Sequence, residues 1–161
     1  AASDVYKRQI KKNTDGTPVL KKRICGNRFE GTNIYKRGEY YYLFASIGTC
    51  CNGATSTYQT VVGRSKNVLG PYLDKTGRDM LYDYCEIIMS GNETWAGPGH
   101  NSILIQDDVG TDWIIYHGYK KKEAENGRYV LMDKLIWSND GWPSVKSNAP
   151  SILEVAPYFQ K

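Results

Sequence analysis

Two short segments of the chain carry side chains that could take part in proton transfer. Glu30 stands between Phe29 and Gly31, and His100 follows the run Gly97-Pro98-Gly99. A carboxylic acid keeps its proton near neutral pH when burial or a nearby negative charge disfavours the ionised form, and an aromatic neighbour is compatible with such a site. By itself, however, a glutamate in such a segment is more typical of a solvated strand end.

The elements that must position these residues are short β-strands separated by turns. The runs 33–36 and 40–45, joined by a turn at Arg37-Gly38, predict a β-hairpin. Residues 57–63 are rich in Thr, Val and Tyr and predict a third strand, and the apolar run 85–89 predicts a fourth. Further strands are predicted at 18–24, 72–73, 100–106, 113–119 and 128–137, and a last one begins at Trp142. The sequence therefore predicts an all-β fold.

The order of these strands repeats along the chain, with a hairpin, a third strand and then a shorter outer strand. Glu30 stands just before the first unit, and His100 opens the second. Four-stranded units that repeat in this way are typical of propeller blades. A β-sandwich has similar strand spacing and is the alternative fold.

The composition argues against several classes of function. The chain has 161 residues, of which 40% are hydrophobic and 24% charged, as in one globular domain or part of a larger one. No apolar run approaches the roughly 18 residues of a membrane span, so we predict no membrane partner. The net charge of +4 is scattered through turns, apart from Lys120-Lys121-Lys122, so we also predict no nucleic-acid partner.

The four cysteines do not have the spacing of a zinc site, since none lies in a CxxC pair. The adjacent residues Cys50 and Cys51 are predicted not to bridge each other, because the bridge would strain the peptide bond between them. A bridge between Cys25 and Cys85 is an alternative, and free buried thiols are the favoured interpretation.

Several segments, in order along the chain, resemble the glycoside hydrolases of family 43 and especially their endo-arabinanase branch. The resemblance covers about residues 17–145 and is carried by Phe29-Glu30-Gly31, Tyr40-Tyr41-Tyr42-Leu43-Phe44, Gly48-Thr49-Cys50-Cys51, Ser56-Thr57-Tyr58, Val62-Gly63-Arg64-Ser65, Gly70-Pro71-Tyr72, Gly97-Pro98-Gly99-His100-Asn101-Ser102 and Asp140-Gly141-Trp142-Pro143. It implies a five-bladed β-propeller, with residues 10–161 as its C-terminal portion, roughly the last two to three blades.

The resemblance also implies an inverting glycosidase that cleaves α-1,5-linked L-arabinan. The alternatives are another family 43 activity, such as an exo-arabinofuranosidase or a xylosidase, and a non-catalytic carbohydrate-binding β-module. The implied partner is arabinan or a related pectin-derived polysaccharide. The implied protein is secreted or periplasmic and monomeric at full length.

The family's active site uses three carboxylates, and Glu30 matches its general acid. The segments for the catalytic base and for the aspartate that orients the acid lie upstream in the family, and neither has a match here. Residues 1–9 contain Asp4-Val5-Tyr6-Lys7-Arg8-Gln9, which resembles a translated transposase end used to prepare sequencing libraries. We therefore expect residues 1–9 to be a library scar and the chain to be truncated, without its base or its signal peptide. A smaller departure is Thr32, where the family commonly has proline.

The remaining site residues are implied by the same resemblance. His100 matches a histidine beneath the active site that joins a weak calcium site with mostly water ligands; alternatively, it only hydrogen-bonds the catalytic carboxylates. We expect His117 to be structural. The residues expected to bind substrate are Cys50, Cys51, Asn52, Tyr58, Arg64, Trp95 and Asn101.

Overall fold

The computed structural model describes residues 22–160, which form β-strands joined by turns and short 3-10 helices. The strands are β1 Glu30–Arg37, β2 Tyr40–Ile47, β3 Gln59–Ser65, β4 Glu86–Met89, β5 Trp95–Gly99, β6 Ile105–Gln106, β7 Asp112–Lys120, β8 Arg128–Lys134, β9 Ile136–Trp137 and β10 Pro143–Ser144. The 3-10 helices are Gly53–Thr55, Met80–Tyr82, Lys121–Asn126 and Lys146–Asn148. The all-β prediction is confirmed. Within residues 22–160, no helix has the length and apolar character needed to cross a membrane.

Strands β1 to β4 form an antiparallel sheet in chain order, which we call the first sheet. The predicted hairpin is confirmed, and its turn contains Gly38 at a φ of 56°, a conformation that glycine adopts without steric cost. At the other end of the hairpin, Glu30 lies opposite Ser46, and the register shifts before Asn33. Glu30 lies at the edge of the sheet, because β1 is the first strand in the sheet order and pairs only with β2 among the described residues.

Strand β7 is the centre of a second sheet. Strands β5 and β6 pair with different parts of one edge of β7, and β8 pairs with the other edge. Strands β9 and β10 pair only with each other.

Three strand predictions differ from the structure, and most of a fourth, the strand predicted at 18–24, lies outside the described residues. The strand predicted at 100–106 forms only at Ile105–Gln106, because β5 ends at Gly99 and His100 has a φ of 53°, which is not a strand conformation. The run 128–137 is broken at Leu135, whose backbone N–H donates to the carbonyl of Asp112. The element predicted at 72–73 forms only isolated bridges from Leu73.

The hydrophobic core lies on both faces of the first sheet. Tyr42 and Phe44 of β2 pack with Ile114 and Tyr116 of β7, so this cluster joins the two sheets. Leu43 and neighbouring alternate residues of β2 enter a second cluster on the opposite face. Because both faces are covered, β2 is a continuous buried run rather than an alternating one.

Polar contacts fix the two sheets at the end of the molecule remote from Glu30. The buried carboxylate of Asp112 accepts hydrogen bonds from the Tyr35 hydroxyl and from Trp137 Nε1, each at 2.7 Å. The Tyr42 hydroxyl donates to the carbonyl of Gly141 at 2.6 Å. These contacts hold β1 beside β7, and thereby bring the start of β1 close to the end of β5.

Candidate active site

The structure brings Glu30 and His100 together, although 70 residues separate them in the sequence. The backbone N–H of His100 donates to Ser46 Oγ at 2.7 Å, and Ser46 is the cross-strand partner of Glu30. A Cβ placed on Gly31 would lie 3.0 Å from Cγ of His100, so the backbone after Glu30 lies directly against the histidine. The two motifs that contain Glu30 and His100 therefore lie side by side in the fold.

Tyr58 holds the carboxyl group of Glu30. Its hydroxyl donates to Glu30 Oε2 at 3.1 Å, and its ring is buried between the two sheets. Burial raises the pKa of Tyr58 to about 12, and the negative charge of Glu30 adds to this effect. Tyr58 therefore keeps its proton and remains a donor to Glu30 throughout the physiological pH range.

The Gly97-Pro98-Gly99 run makes room for Tyr58. A Cβ on Gly99 would lie 2.4 Å from Cδ1 of Tyr58, far inside van der Waals contact. Gly97 has a φ of 61°, and a Cβ there would lie 2.6 Å from Cβ of Ser56. The two glycines are needed because the segment before Tyr58 and the ring itself lie directly against β5.

His117 is part of the same cluster. Its ring stacks on Tyr58, with centroids 5.9 Å apart, and on His100, with centroids 6.1 Å apart. Arg128 Nη1 lies 3.5 Å from Nε2 of His117. Burial lowers the pKa of His117 to about 4, and the charge of Arg128 adds to this, so the imidazole is neutral near pH 7.

Ser46 and Arg128 also belong to this cluster, although no motif of the sequence singles them out. Ser46 lies beside Glu30 through the β1–β2 register, and Arg128 lies near His117 through the β7–β8 register. The predicted hairpin does not identify Ser46, because its uninterrupted register would set Ile47 opposite Glu30, and the register shift between Glu30 and Asn33 sets Ser46 there instead. We expect a structural role for His117, and its ring stacks on Tyr58, whose hydroxyl donates to Glu30.

The residues Cys50, Cys51 and Asn52 lie in the loop between β2 and β3, at the Glu30 end of the first sheet. Cys50 and Cys51 form a disulfide, so the prediction that adjacent cysteines would not bridge is wrong. Cys25 and Cys85 are free and half-buried, as the favoured interpretation held for these two. Burial raises the pKa of Cys25 to about 11.

The other three residues expected to bind substrate have contacts of a different kind. Arg64 lies near the far end of β3, where its guanidinium carbon is 4.4 Å from the ring centroids of both Tyr40 and Trp142. Its Nη1 donates to the carbonyl of Asp140 at 2.6 Å. These contacts make Arg64 a link between the sheets and give its predicted place in a substrate groove no support.

Trp95 begins β5, and its buried ring packs edge-on against Tyr129. It lines a groove of about 280 Å³ together with β8 and residues 151–156. Asn101 is buried, and its backbone carbonyl accepts a hydrogen bond from Asn33 Nδ2 at 3.1 Å. Asn101 thus supports the turn after His100, and a role for either residue in substrate binding stays a prediction.

The family model described as "Glycosyl hydrolases family 43" matches residues 4–143. The chain belongs to glycosyl hydrolases family 43. This result confirms the family to which the motifs around Glu30 and His100 pointed.

Curated relatives in family 43 include enzymes of two kinds. The chain is 45% identical over 118 residues to the extracellular exo-α-(1→5)-L-arabinofuranosidase of Cellvibrio japonicus, covering 73% of this chain and 33% of that protein. It is 41% identical over 120 residues to the extracellular endo-α-(1→5)-L-arabinanase 1 of Bacillus subtilis, covering 74% and 35%. The chain therefore spans about a third of the length of these curated relatives.

The fold is similar to parts of solved arabinanase structures. The α-L-arabinanase of Cellvibrio cellulosa in complex with arabinohexaose matches with a TM-score of 0.76 and 38% identity, over 86% of this chain and 49% of that one. The endo-arabinanase of Bacillus licheniformis matches with a TM-score of 0.72 and 32% identity, over 84% and 47%.

Among residues 22–160, the four buried aspartates are held by other parts of the fold. The buried aspartates of this region each accept hydrogen bonds from structural partners, and none of these bonds involves Glu30 or Tyr58. The pairs are Asp74 with Thr76 and Arg78, Asp107 with Trp113, Asp112 with Tyr35 and Trp137, and Asp133 with Tyr116.

The described residues also offer few ligands for the expected calcium ion. In the part of the chain that the structure describes, no group of three or more His, Cys, Asp or Glu side chains could hold a metal ion. Calcium prefers oxygen ligands, and His100 would supply only one imidazole nitrogen. A weak calcium site at His100 stays a prediction, and no step proposed below depends on it.

Proposed function

We propose that the chain supplies the general acid, Glu30, of a secreted glycoside hydrolase that cleaves α-1,5-linked arabinan. The observation that carries this proposal is the carboxyl group of Glu30, held by Tyr58 at the edge of β1 and placed beside His100. The printed names of the two curated relatives support arabinan as the substrate and an extracellular location.

We also propose that the two sheets are neighbouring blades of a five-bladed β-propeller. Both β1 and β5 are edge strands, and Glu30 begins one while His100 directly follows the other. In a propeller, such edges face the central axis, so residues from different blades can converge there. The likeness to the solved arabinanases supports this arrangement.

The chemistry assigned to Glu30 is proton donation to the oxygen of the leaving sugar. In an inverting glycosidase, a base on the opposite face of the sugar activates water, and the two carboxyl groups lie about 6.5–9.5 Å apart. Tyr58 orients the Glu30 carboxyl, so its proton is delivered along one direction rather than from a freely rotating side chain. We assign the catalytic base to a residue outside 22–160, because the family's base motif lies upstream of the motif that Glu30 matches.

Endo cleavage is the first candidate and exo cleavage the second. The segment around Cys50 and Cys51 favours the endo enzyme, whereas the 45% identity to an exo-acting relative favours the exo enzyme. Products from linear arabinan separate the two modes, because endo action releases oligomers early and exo action releases only monomer.

The test of the acid is Glu30→Gln in a complete family 43 enzyme that contains this segment. Glutamine keeps the shape of the side chain but has no proton to transfer, so turnover on arabinan should fall by about 10²–10⁴-fold while binding persists. An aryl arabinofuranoside with a very good leaving group should lose much less, since its departure needs little protonation. The control is Glu39→Gln, which removes an exposed carboxylate from the same hairpin. Near-normal turnover of Glu30→Gln on arabinan would contradict the assignment.

The 161-residue chain alone should release no reducing sugar from arabinan, because no segment of it matches the family's two aspartate motifs. A reducing-sugar assay beside a complete relative measures this directly. Release at a rate close to that of the relative would show that the chain contains its own base.

A further inference from the structure

The loop that contains the disulfide is tied to the residues that precede Tyr58. We call residues 48–58 the bridged loop. Ser56 Oγ donates to the carbonyl of Cys50 at 3.3 Å and accepts from the backbone N–H of Asn52 at 2.9 Å. One buried hydroxyl thus joins the backbone on both sides of Cys51, and Tyr58 follows two residues later.

A second pair of contacts closes the base of the bridged loop. The N–H of Thr57 donates to the carbonyl of Thr49, and the N–H of Thr49 donates to Oγ1 of Thr57, both at 3.1 Å. Thr57 is the residue directly before Tyr58. The position of the Tyr58 backbone is therefore set by the stretch 49–52, which includes the disulfide.

The disulfide restricts the backbone at the centre of this network. A bridge between adjacent residues closes a small ring that includes the planar peptide bond between them, so the dihedral angles of both residues are limited. The carbonyl of Cys50 and the N–H of Asn52 are then held at fixed positions relative to each other. Ser56 can meet both groups only while that arrangement lasts.

The other side of the bridged loop rests on β5. Ser56 and Tyr58 lie where side chains on Gly97 and Gly99 would otherwise be, so neither residue can move toward the second sheet. A shift of the loop must carry the Tyr58 ring away from β5 or along it. Either movement changes the distance between the Tyr58 hydroxyl and Glu30 Oε2, and this hydrogen bond, at 3.1 Å, is already at the long end for a hydroxyl donor.

We propose that the Cys50–Cys51 disulfide is a positioning element for Glu30, because it holds the bridged loop so that the Tyr58 hydroxyl stays on the Glu30 carboxyl. This inference rests on the proposed function for its catalytic meaning, but the positioning itself is a property of the chain. Cleavage of the disulfide should leave the fold intact and weaken the contact between Tyr58 and Glu30.

The experiment uses the 161-residue chain with carbon-13 in its glutamate carboxyl groups. The resonance of Glu30 is the one that disappears in Glu30→Gln, and its position in Tyr58→Phe marks the loss of the hydrogen bond. A water-soluble phosphine then reduces the disulfide to two thiols, and the phosphine becomes its oxide with oxygen from water. Reduction should move the Glu30 resonance toward its position in Tyr58→Phe, and the amides of Asn52 and Thr57 should exchange at least about tenfold faster.

Two controls make the result specific. The double variant Cys50→Ala/Cys51→Ala should resemble the reduced chain and should not respond to the phosphine. Cys25 and Cys85 are already free thiols, so they are not altered by reduction. The amides of Ile114 and Tyr116 in β7 should keep their protection, which reports that the fold is retained.

Two outcomes would overturn the proposal. One is a change confined to residues 50–52, with the Glu30 resonance and the Thr57 amide unaffected. The other is loss of protection throughout β7, because the disulfide would then stabilise the whole fold instead of positioning Tyr58. None of these signals depends on hydrolysis, so they are independent of the turnover of Glu30→Gln, which tests the acid itself.

Discussion

A single added methyl group at Gly99 should separate Tyr58 from Glu30. In Gly99→Ala the new Cβ would lie 2.4 Å from Cδ1 and 2.7 Å from Cε1 of Tyr58. Carbon atoms prefer separations of about 3.5–4.0 Å, so the ring and β5 must move apart by roughly 1 Å. The hydrogen bond from Tyr58 to Glu30 measures 3.1 Å, and a further 1 Å or so would break it.

Gly99→Ala should also lower the free energy of unfolding. Forcing an extra methyl group into a packed site costs about 1–3 kcal/mol. With a urea slope of about 1–3 kcal/mol per molar, the unfolding midpoint should fall by about 1 M. Urea unfolding, together with the carboxyl resonance of Glu30, measures both effects in one variant.

The matched control is Gly118→Ala, in the neighbouring strand β7. A Cβ there would meet the flexible end of Leu131 at 3.2 Å, and neither glycine has a positive φ. Gly118→Ala should therefore change the midpoint little. If Gly99→Ala behaves like Gly118→Ala and leaves the Glu30 resonance in place, the close contact between β5 and Tyr58 is refuted. Equal costs of Gly99→Ala in the wild-type and Tyr58→Ala backgrounds would refute it as well, because residues in contact should not be additive.

Two further predictions concern His117 and the cysteines. The pKa of His117 is about 4 in the folded chain, below its ordinary value of 6.5. Between these two pH values the unfolded chain binds a proton at His117 and the folded chain does not. The contribution of the neutral imidazole to stability is therefore complete above about pH 6.5 and is lost as the pH falls toward 4. The stability advantage of wild type over His117→Gln, from urea unfolding, should shrink between about pH 7 and pH 4.5, and parallel losses in both proteins would contradict the buried neutral imidazole. Thiol titration of the denatured, unreduced chain should find two free thiols, Cys25 and Cys85, and titration after reduction should find all four. Four thiols before reduction would show that Cys50 and Cys51 are not bridged. In the native chain Cys25 should react slowly at neutral pH, because burial raises its pKa to about 11.

Local signals were sufficient for the strands of the first sheet. Gly38 marks the hairpin turn, and the aromatic and β-branched residues of β2 and β3 fit a pleated, buried surface. The same reasoning failed around His100, because the predicted strands leave out Gly97-Pro98-Gly99, which form most of β5. Glycine and proline ordinarily interrupt strands, and here they occur because Ser56 and Tyr58 fill the space that side chains would need.

The sequence by itself determined the all-β class, the family and the identity of Glu30 as the candidate acid, because these depend on residue types in a fixed order. Only the tertiary structure decided which side chains surround Glu30. Tyr58 reaches it through the bridged loop, Ser46 through strand register, and His117 by stacking on Tyr58. Such contacts join residues far apart in the chain, and they depend on how two sheets pack rather than on any local preference. The Cys50–Cys51 bridge was also decided only by the three-dimensional structure, although it joins adjacent residues.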